Sequence, residues 1–437
     1  MPDLTSTPIA TGRESADWFH LEGSKLVRNL KWGSTVLRSS VDVREPVSGD
    51  LKGEWWRAYL RGQRPAPVLG WNRALRAVDL FSGPGGLANG FSQFFAEAGY
   101  PMTSELAIDQ DAGATRVYAA NHGTLRTSSA SVASLLDFAV RRTSRQTTFH
   151  YPPEITDENI ASALQEVDVV LAGPPCQGHS NLNNHTRRDD PRNSLYLTVP
   201  AFAVAIGAPV VVIENVPAVL HDADNVVETA RDLLIAEGYN VVSGVLNAAQ
   251  MGWPQARRRH FLVARRDFAP LPLQDVLEIL GEPEPRSVWW AIHDLEDAPA
   301  VDVVDEGTVV SSTNQARMEW LFDNDAHELA LPERPKSHRQ GTTYMSVYGR
   351  MHKDKPAPTI TTGFMSPGRG RYVHPTRPRV LTAREAARLQ GFPDTYRFVV
   401  DSGSPPGRTQ LAKWIGDAVP MPLGFAAAFS AYAPSLP

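Results

Sequence analysis

A single cysteine occurs in the 437 residues of the chain, Cys176, and it stands in GPPCQGHS (173–180) directly after the apolar run VDVVLAG (167–173). Two prolines stiffen that loop and hold the thiol near its tip. Only a thiolate attacks well, and a strand-end loop with free backbone amides supplies the dipolar surroundings that favour one. One cysteine excludes an internal disulfide and a cysteine-rich zinc site, so the residue is either a buried filler or a reactive group. A second segment, PVVVIEN (209–215), ends a buried apolar run on Glu214. Desolvation there raises a carboxyl pKa and suits it to sharing a proton, although a structural cap would use the same residue. In QARRRHFLV (255–263) the period of two in an extended segment puts Arg257 and Arg259 on one side and Arg258 on the other. Such arginines hold a carbonyl oxygen or a phosphate, or form a basic turn. Finally, DLFSGPGGLANGF (79–91) sets glycines between a strand and a helix start, where a ligand can approach the backbone, and Asp109 ends the next strand, where a ribose diol would be held.

These residues need a frame. LRAVDLF (75–81), the helical GLANGFSQFFAEAG (86–99) and TSELAID (103–109) read as a βαβ opening. The runs 167–173, 209–215 and RHFLVARR (259–266) add further buried strands, separated by enough chain for helices. An open, largely parallel α/β sheet follows, with its chemistry gathered at the carboxyl ends of the strands. Residues 1–70 form an N-terminal extension rich in Trp and Arg, with no motif that assigns it a role. Between 271 and 377 the alternation gives way to Pro, Gly and charge, which predicts a second, less regular domain; helix returns at LTAREAARLQGF (381–392).

Composition sets the outer limits. The length allows two or three domains. A net charge of −5 argues against a general polyanion binder but leaves room for a local basic groove, and arginines do cluster at 187–188, 257–266 and 369–384. No apolar run is long enough to cross a bilayer, and the N-terminus lacks the basic and apolar stretches of a signal peptide, so a soluble cytoplasmic protein is expected.

Taken together, the segments resemble the DNA cytosine-5 methyltransferase family of bacterial and phage type in identity, order and spacing, over roughly 71–270 and 340–437. DLFSGPGGL is similar to the family's first motif, PPCQGHS to its nucleophile loop, ENV to its general-acid motif and QARRRHFLV to its paired-arginine motif. LTAREAARLQGFP and QLAKWIGDAVPMPLG are similar to its ninth and tenth. The resemblance implies a Rossmann-like S-adenosylmethionine-dependent α/β sheet with a smaller irregular target-recognition domain. It divides the chain into an extension (1–70), a catalytic domain (71–270), a recognition domain (271–377) and returning C-terminal motifs (378–437). Cys176 would add to C6 of cytosine, Glu214 would protonate N3, and Arg257 and Arg259 would complete the catalytic set, with Arg259 on O2. S-adenosylmethionine would lie against Phe81, Ser82, Gly83, Gly85, Gly86, Leu87, Asp109, Gln110, Pro174 and Asp417. Gln177, Ser180 and Arg192, on a loop resembling the family's mobile one, would contact double-stranded DNA with the target base rotated out of its stack. No metal is implied, the enzyme is expected to be monomeric, and restriction-modification or a related defence system is the implied setting, with cognate proteins as partners.

Three positions depart from the family pattern: His179 in place of an aromatic, Ser131-Val132 in place of an Asp-Ile pair, and Asp417 in place of Asn. The second bears on the adenine contact. The third adds a carboxylate that is expected to tune cofactor affinity. Two rivals share the motifs: an RNA cytosine-5 methyltransferase, which the long recognition region and the DPRN loop disfavour, and a non-catalytic DNA-binding homologue, which retention of Cys176, Glu214 and Arg259 disfavours.

Overall fold

The computed structural model describes residues 15–43, 49–67, 73–144, 146–175, 195–339, 346–401 and 404–435. The chain forms two compact units, the first made of 1–247, 258–281 and 421–437 and the second of 248–257 and 282–420. These boundaries differ from those expected at 70, 270 and 377: the N-terminal extension belongs to the first unit, and of the C-terminal motifs only 421–437 rejoin it.

In the first unit, β1 (Ser15–Glu22), β2 (Lys25–Trp32) and β3 (Thr35–Asp42) make an antiparallel meander, joined by α1 (Leu51–Leu60) to the short edge strand β4 (Ala66–Pro67). Both reversals are two-residue Gly-Ser turns whose glycines, Gly23 and Gly33, sit at φ +60° and +58°, the left-handed geometry that matches strand twist. Every residue from Leu26 to Leu30 is buried, Arg28 included. That buried charge interrupts the hydrophobic alternation by which the sheet would have been recognised.

The main sheet has seven strands in the order β14-β16-β13-β12-β5-β6-β7. Its members are β5 (Leu75–Leu80), β6 (Met102–Ile108), β7 (Thr127–Ser128), β12 (Val169–Ala172), β13 (Val210–Asn215), β14 (Asn240–Asn247) and β16 (Arg258–Arg265). Strands β13, β12, β5, β6 and β7 are mutually parallel, while β16 runs antiparallel to both of its neighbours. The sheet is therefore mixed, largely parallel with one reversed strand. Strand β14 lies at the edge, half-buried along most of its length, and its weak apolar pattern follows from that position.

Helices α2 (Gly86–Ala98) and α3 (Ala112–His122) follow β5 and β6, and α5 (Leu195–Ala205) and α6 (Val226–Ala236) flank β13. Between β7 and β12 lie two small ribbons, β8 (Leu136–Asp137) with β11 (Glu154–Ile155) and β9 (Val140–Arg142) with β10 (Thr147–Phe149), and the short α4 (Glu158–Ala163). After β16 come α7 (Leu273–Leu280) and, from the C-terminus, α12 (Met421–Tyr432). Helix α12 crosses α2 so closely that a Cβ on Gly90 would lie 2.5 Å from the Met421 carbonyl oxygen. Only glycine permits that crossing.

The second unit is sparse in regular structure, as its composition predicts. It holds a two-residue parallel pair, β15 (Gln255–Ala256) with β17 (Ala357–Pro358), and helices α8 (Val288–Ile292), α9 (Ser312–Asp323), α10 (Ala383–Gln390) and α11 (Arg408–Asp417). Helix α10 begins with a Thr382–Glu385 capping box. Burial alone would raise the Glu385 pKa, but hydrogen bonds from Arg379 and His374 draw it down to about 2. Among the described residues no helix is long and apolar enough to cross a membrane.

His260 in β16 is 1% exposed, and neither ring nitrogen has a hydrogen-bond partner among the described residues. Burial pushes its pKa down to about 4, and His122 is pushed to about 4 for the same reason. Above pH ~6.5 both rings are neutral whether the chain is folded or unfolded. As the pH falls toward 4 the unfolded chain takes up protons that the folded chain refuses, so stability declines across that window. The fully buried His260 ring contributes a loss of about 2 kcal/mol between pH ~7.5 and ~5. Replacing His260 by Leu should remove its share, read from urea midpoints at the two pH values; a variant with the wild-type pH slope would contradict this account.

Candidate active site

The chemistry-bearing residues of the first unit collect along one edge of the sheet, because β5, β6, β12 and β13 all end there while the antiparallel β16 begins there. Register decides which residues meet. Ala172 lies beside Leu80 on one side and Ile213 on the other, so the next residues, Phe81, Gly173 and Glu214, fall in one row. A Cβ on Gly173 would touch Glu214 Oε2 at 3.5 Å and lie 3.9 Å from the Phe81 carbonyl oxygen.

The turn after β5 is wound by three left-handed residues, Phe81 (φ 57°), Gly83 (51°) and Gly85 (97°). For Phe81 that conformation costs about 1 kcal/mol or more and must be held by its surroundings. Several bonds hold it. Ser82 N–H donates to the Ile108 carbonyl at 3.0 Å, Asn89 N–H to that of Gly85 at 2.8 Å, and Gly83 N–H to Asp109 Oδ2 at 2.9 Å. The other Asp109 oxygen accepts from Asp111 N–H at 2.8 Å. Gly85 caps α2 without a side-chain hydrogen bond, so the turn presents backbone amides at a helix start beside a carboxylate, the arrangement that suits a nucleoside-bearing ligand. Ser82, Gly86 and Leu87 are buried in this turn, and Gln110 is exposed beyond Asp109.

Beneath the turn lies a group that the sequence reading passed over. Asp79 is 1% exposed, and its pKa is pushed well above the usual range by burial, with the nearby Tyr118 side chain opposing the shift and repulsion from Asp109 adding to it. The Tyr118 ring packs 4.6 Å from that of His122. An acid amid the apolar residues at the end of the strand, in AVDLF, was the available signal.

At the end of β13, Glu214 is 7% exposed and pairs with Arg259, Nε to Oε1 at 2.7 Å. The contact follows from register: Glu214 faces Phe261 across the antiparallel ladder, and Arg259 is two residues from Phe261 on the same face. Asn215, on the opposite face, donates from Nδ2 to the Pro174 carbonyl at 3.2 Å and so anchors the start of the nucleophile loop. Tyr196 is also buried close to this carboxylate, and burial followed by the Glu214 charge raises its pKa. Cys176, Gln177, His179, Ser180 and Arg192 lie outside the described residues.

The two arginines expected to act together take different places. Arg257 belongs to the second unit and is 1% exposed. Its guanidinium donates to the carbonyls of Ile360 (2.6 Å), Gly416 (3.0 Å) and Asp417 (3.3 Å). It therefore ties the TITTG segment to the end of α11, at a crossing where a Cβ on Gly416 would lie 2.4 Å from the Thr361 carbonyl carbon. Asp417 closes α11 in that unit, with Lys413 Nζ 3.1 Å from Oδ2. Ser131 and Val132 open a single 3-10 turn, with Val132 buried in the core. The third arginine cluster is mostly internal: Arg371 pairs with Glu328, Arg377 with Glu296 and Asp297, Arg379 with Glu385 and Arg384 with Asp305, leaving Arg369 exposed. Among the described residues no group of three or more His, Cys, Asp or Glu side chains is placed to hold a metal.

The family model for C-5 cytosine-specific DNA methylases matches residues 75–431. The chain belongs to that family. Relatives of the methylase include the type II methyltransferase M1.BsuMI of Bacillus subtilis, 34% identical over 425 residues and 95% of each chain. The type II methyltransferase M.DdeI of Desulfomicrobium norvegicum is 28% identical over 389 residues, 79% of this chain and 86% of that one. Among solved structures, Dnmt2 of S. pombe superposes with a TM-score of 0.55 at 19% identity, over 81% of the methylase and 98% of its own chain. EhMeth of Entamoeba histolytica gives 0.55 at 16%, over 82% and 98%; both likenesses are of fold.

A methylase in which Arg257 is architectural and Arg259 is not should separate the two by stability. Arg257→Met removes charged hydrogen bonds to two buried carbonyls and one partly buried one and should cost about 3 kcal/mol or more in denaturant unfolding. Arg259→Met combined with Glu214→Gln, which removes the pair without stranding a buried charge, should stay within about 1 kcal/mol of wild type and lose methyl transfer. The reverse order of stabilities would overturn the assignment.

Proposed function

We propose that this DNA (cytosine-5) methyltransferase uses S-adenosylmethionine to methylate one short double-stranded sequence, as the modification arm of a type II restriction-modification system. The observation that carries the reading is the row of Phe81, Gly173 and Glu214 at adjacent strand ends, with Arg259 on Glu214 and Pro174-Pro175 leading into Cys176. The turn at 81–87 offers amides and Asp109 a carboxylate, a donor and acceptor set that fits the adenosyl and amino-acid portions of the cofactor, with Gln110 and Pro174 beside it. Bound there, S-adenosylmethionine supplies an electrophilic methyl group. Names of the relatives favour the biological setting, since both are type II methyltransferases.

Cytosine C5 is a weak nucleophile until C6 receives an electron pair, and the Cys176 thiolate is the group that supplies it. Negative charge then develops at N3 and O2. When Arg259 turns from Glu214 to hold O2, Glu214 takes up a proton from solvent and donates it to N3, so the ion pair is exchanged for two bonds to the base. When the C5 proton leaves, the C6–sulfur bond breaks and the thiolate returns. Arg257 serves as a positioning residue through the second unit. Gln177, Ser180 and Arg192 contact DNA and offset the few kcal/mol needed to rotate the base from its stack. The enzyme acts as a monomer, and sequence readout belongs to the irregular second unit.

Plasmid DNA from a methylation-free host expressing the wild type should carry 5-methylcytosine at one short motif, and DNA from a Cys176→Ser strain none. Absence of the mark in both strains would refute DNA as the substrate in that host and turn the search to RNA. Asp417, paired with Lys413, tunes cofactor affinity: Asp417→Asn should shift the calorimetric Kd by about twofold to threefold, and an unchanged Kd removes that idea.

A further inference from the structure

Residues 15–67 precede the stretch matched by the family model, which begins at 75, and the reaction uses none of them. We infer that this N-terminal sheet and α1 position the cofactor turn, by supplying the bonding partners of a buried polar stripe on α2. The inference rests on the reading of 81–87 as the cofactor site.

Helix α2 carries the turn on its first residues. Its apolar faces pack in the core, yet Asn89, Gln93 and Glu97, spaced by four, run down one side of it and are only 8%, 6% and 4% exposed. Three polar side chains buried in a line cost stability unless each finds a partner. The extension provides partners for Asn89 and Glu97, and Gln93 bonds to Glu97. Asn89 Nδ2 donates to the Tyr59 hydroxyl at 2.8 Å. Glu97 accepts from Arg28 Nη1 at 2.9 Å, Trp55 Nε1 at 3.2 Å and Gln93 Nε2 at 2.8 Å.

Arg28 is itself fastened on the other side by two 2.9 Å bonds to Asp17, which also pairs with Lys52 at 3.3 Å. Its guanidinium lies 4.8 Å from the ring of Phe425 on α12, the helix that crosses α2 at Gly90. Asn89 is the residue that connects this support to the ligand end, because its backbone N–H holds the Gly85 carbonyl while its side chain is held by Tyr59. A turn with three left-handed residues keeps its shape only when its surroundings over-determine it, and the extension contributes one of those constraints from behind.

Tyr59→Phe keeps the ring and removes the hydroxyl that accepts from Asn89. Arg28→Met combined with Glu97→Gln removes the buried pair without stranding a charge. Each full-length variant is titrated calorimetrically with S-adenosylhomocysteine below the onset of unfolding, with hydrogen exchange followed at amides 83–89. Tyr59→Phe should weaken the ligand about threefold to tenfold, the loss of one buried hydrogen bond, and speed exchange in the turn, while affinity for duplex DNA stays at the wild-type value. Variants that melt earlier but bind the nucleoside as tightly as wild type, with unchanged exchange, would make the extension a scaffold only and overturn the inference. A wild-type protein that does not bind S-adenosylhomocysteine would instead overturn the reading of the turn.

Discussion

Parallel pairing of β5, β12 and β13 is the constraint on which the rest of the molecule depends. With Leu80, Ala172 and Ile213 side by side, the chain leaves three strands at the same level, and the residues that follow are brought together with no further device. A slip of one residue in β13 would turn Glu214 to the opposite face and offer Asn215 in its place. At Gly173 the same register brings the Glu214 carboxylate and the Phe81 carbonyl to within ordinary contact of where a Cβ would stand, at 3.5 and 3.9 Å. The reversed strand β16 completes the arrangement by bringing the start of a strand, and thus Arg259, to the edge where its neighbours end.

Much of the remaining order comes from charges taken out of water and paired. In the first unit Arg28 links Asp17 and Glu97 with almost no exposure of any of the three side chains. In the second unit, Glu385 holds Arg379 and His374, Arg388 bridges Asp294 and Asp394, and Arg257 collects three carbonyls. Such groups are expensive to leave unpaired and add little over apolar packing when paired. Their effect is to select one arrangement among several that hydrophobic burial would tolerate, which suits a unit with little regular secondary structure. The same pairing explains why most of the arginines between 371 and 388 do not form a basic surface.

The site also shows how strain and support are divided. Phe81, Gly83 and Gly85 adopt left-handed conformations that wind the turn. Its hydrogen bonds come from β6, Asp109 and the first turn of α2. Glu214 and Arg259, by contrast, sit on strand residues and owe their positions to the ladder.

What was legible in the sequence was local and periodic. The apolar runs at 75–81, 103–109, 167–173, 209–215 and 259–266 mark five strands because each is buried on both faces, and the Gly-rich turn and its helix follow from residue type alone. Position at a strand end identified Asp109 and Glu214, and the family membership followed from motif order. The direction of β16, the edge strand β14 and the N-terminal meander were decided only by tertiary structure, since an edge strand has little apolar signal and a strand with a buried Arg28 breaks its own pattern. Arg257 and Arg259, two residues apart in one motif, took separate partners for a related reason. A spacing of two states which side of a strand a residue starts on, but the chain turns between β15 and β16, and only the fold determines which carbonyls or carboxylates wait on each side.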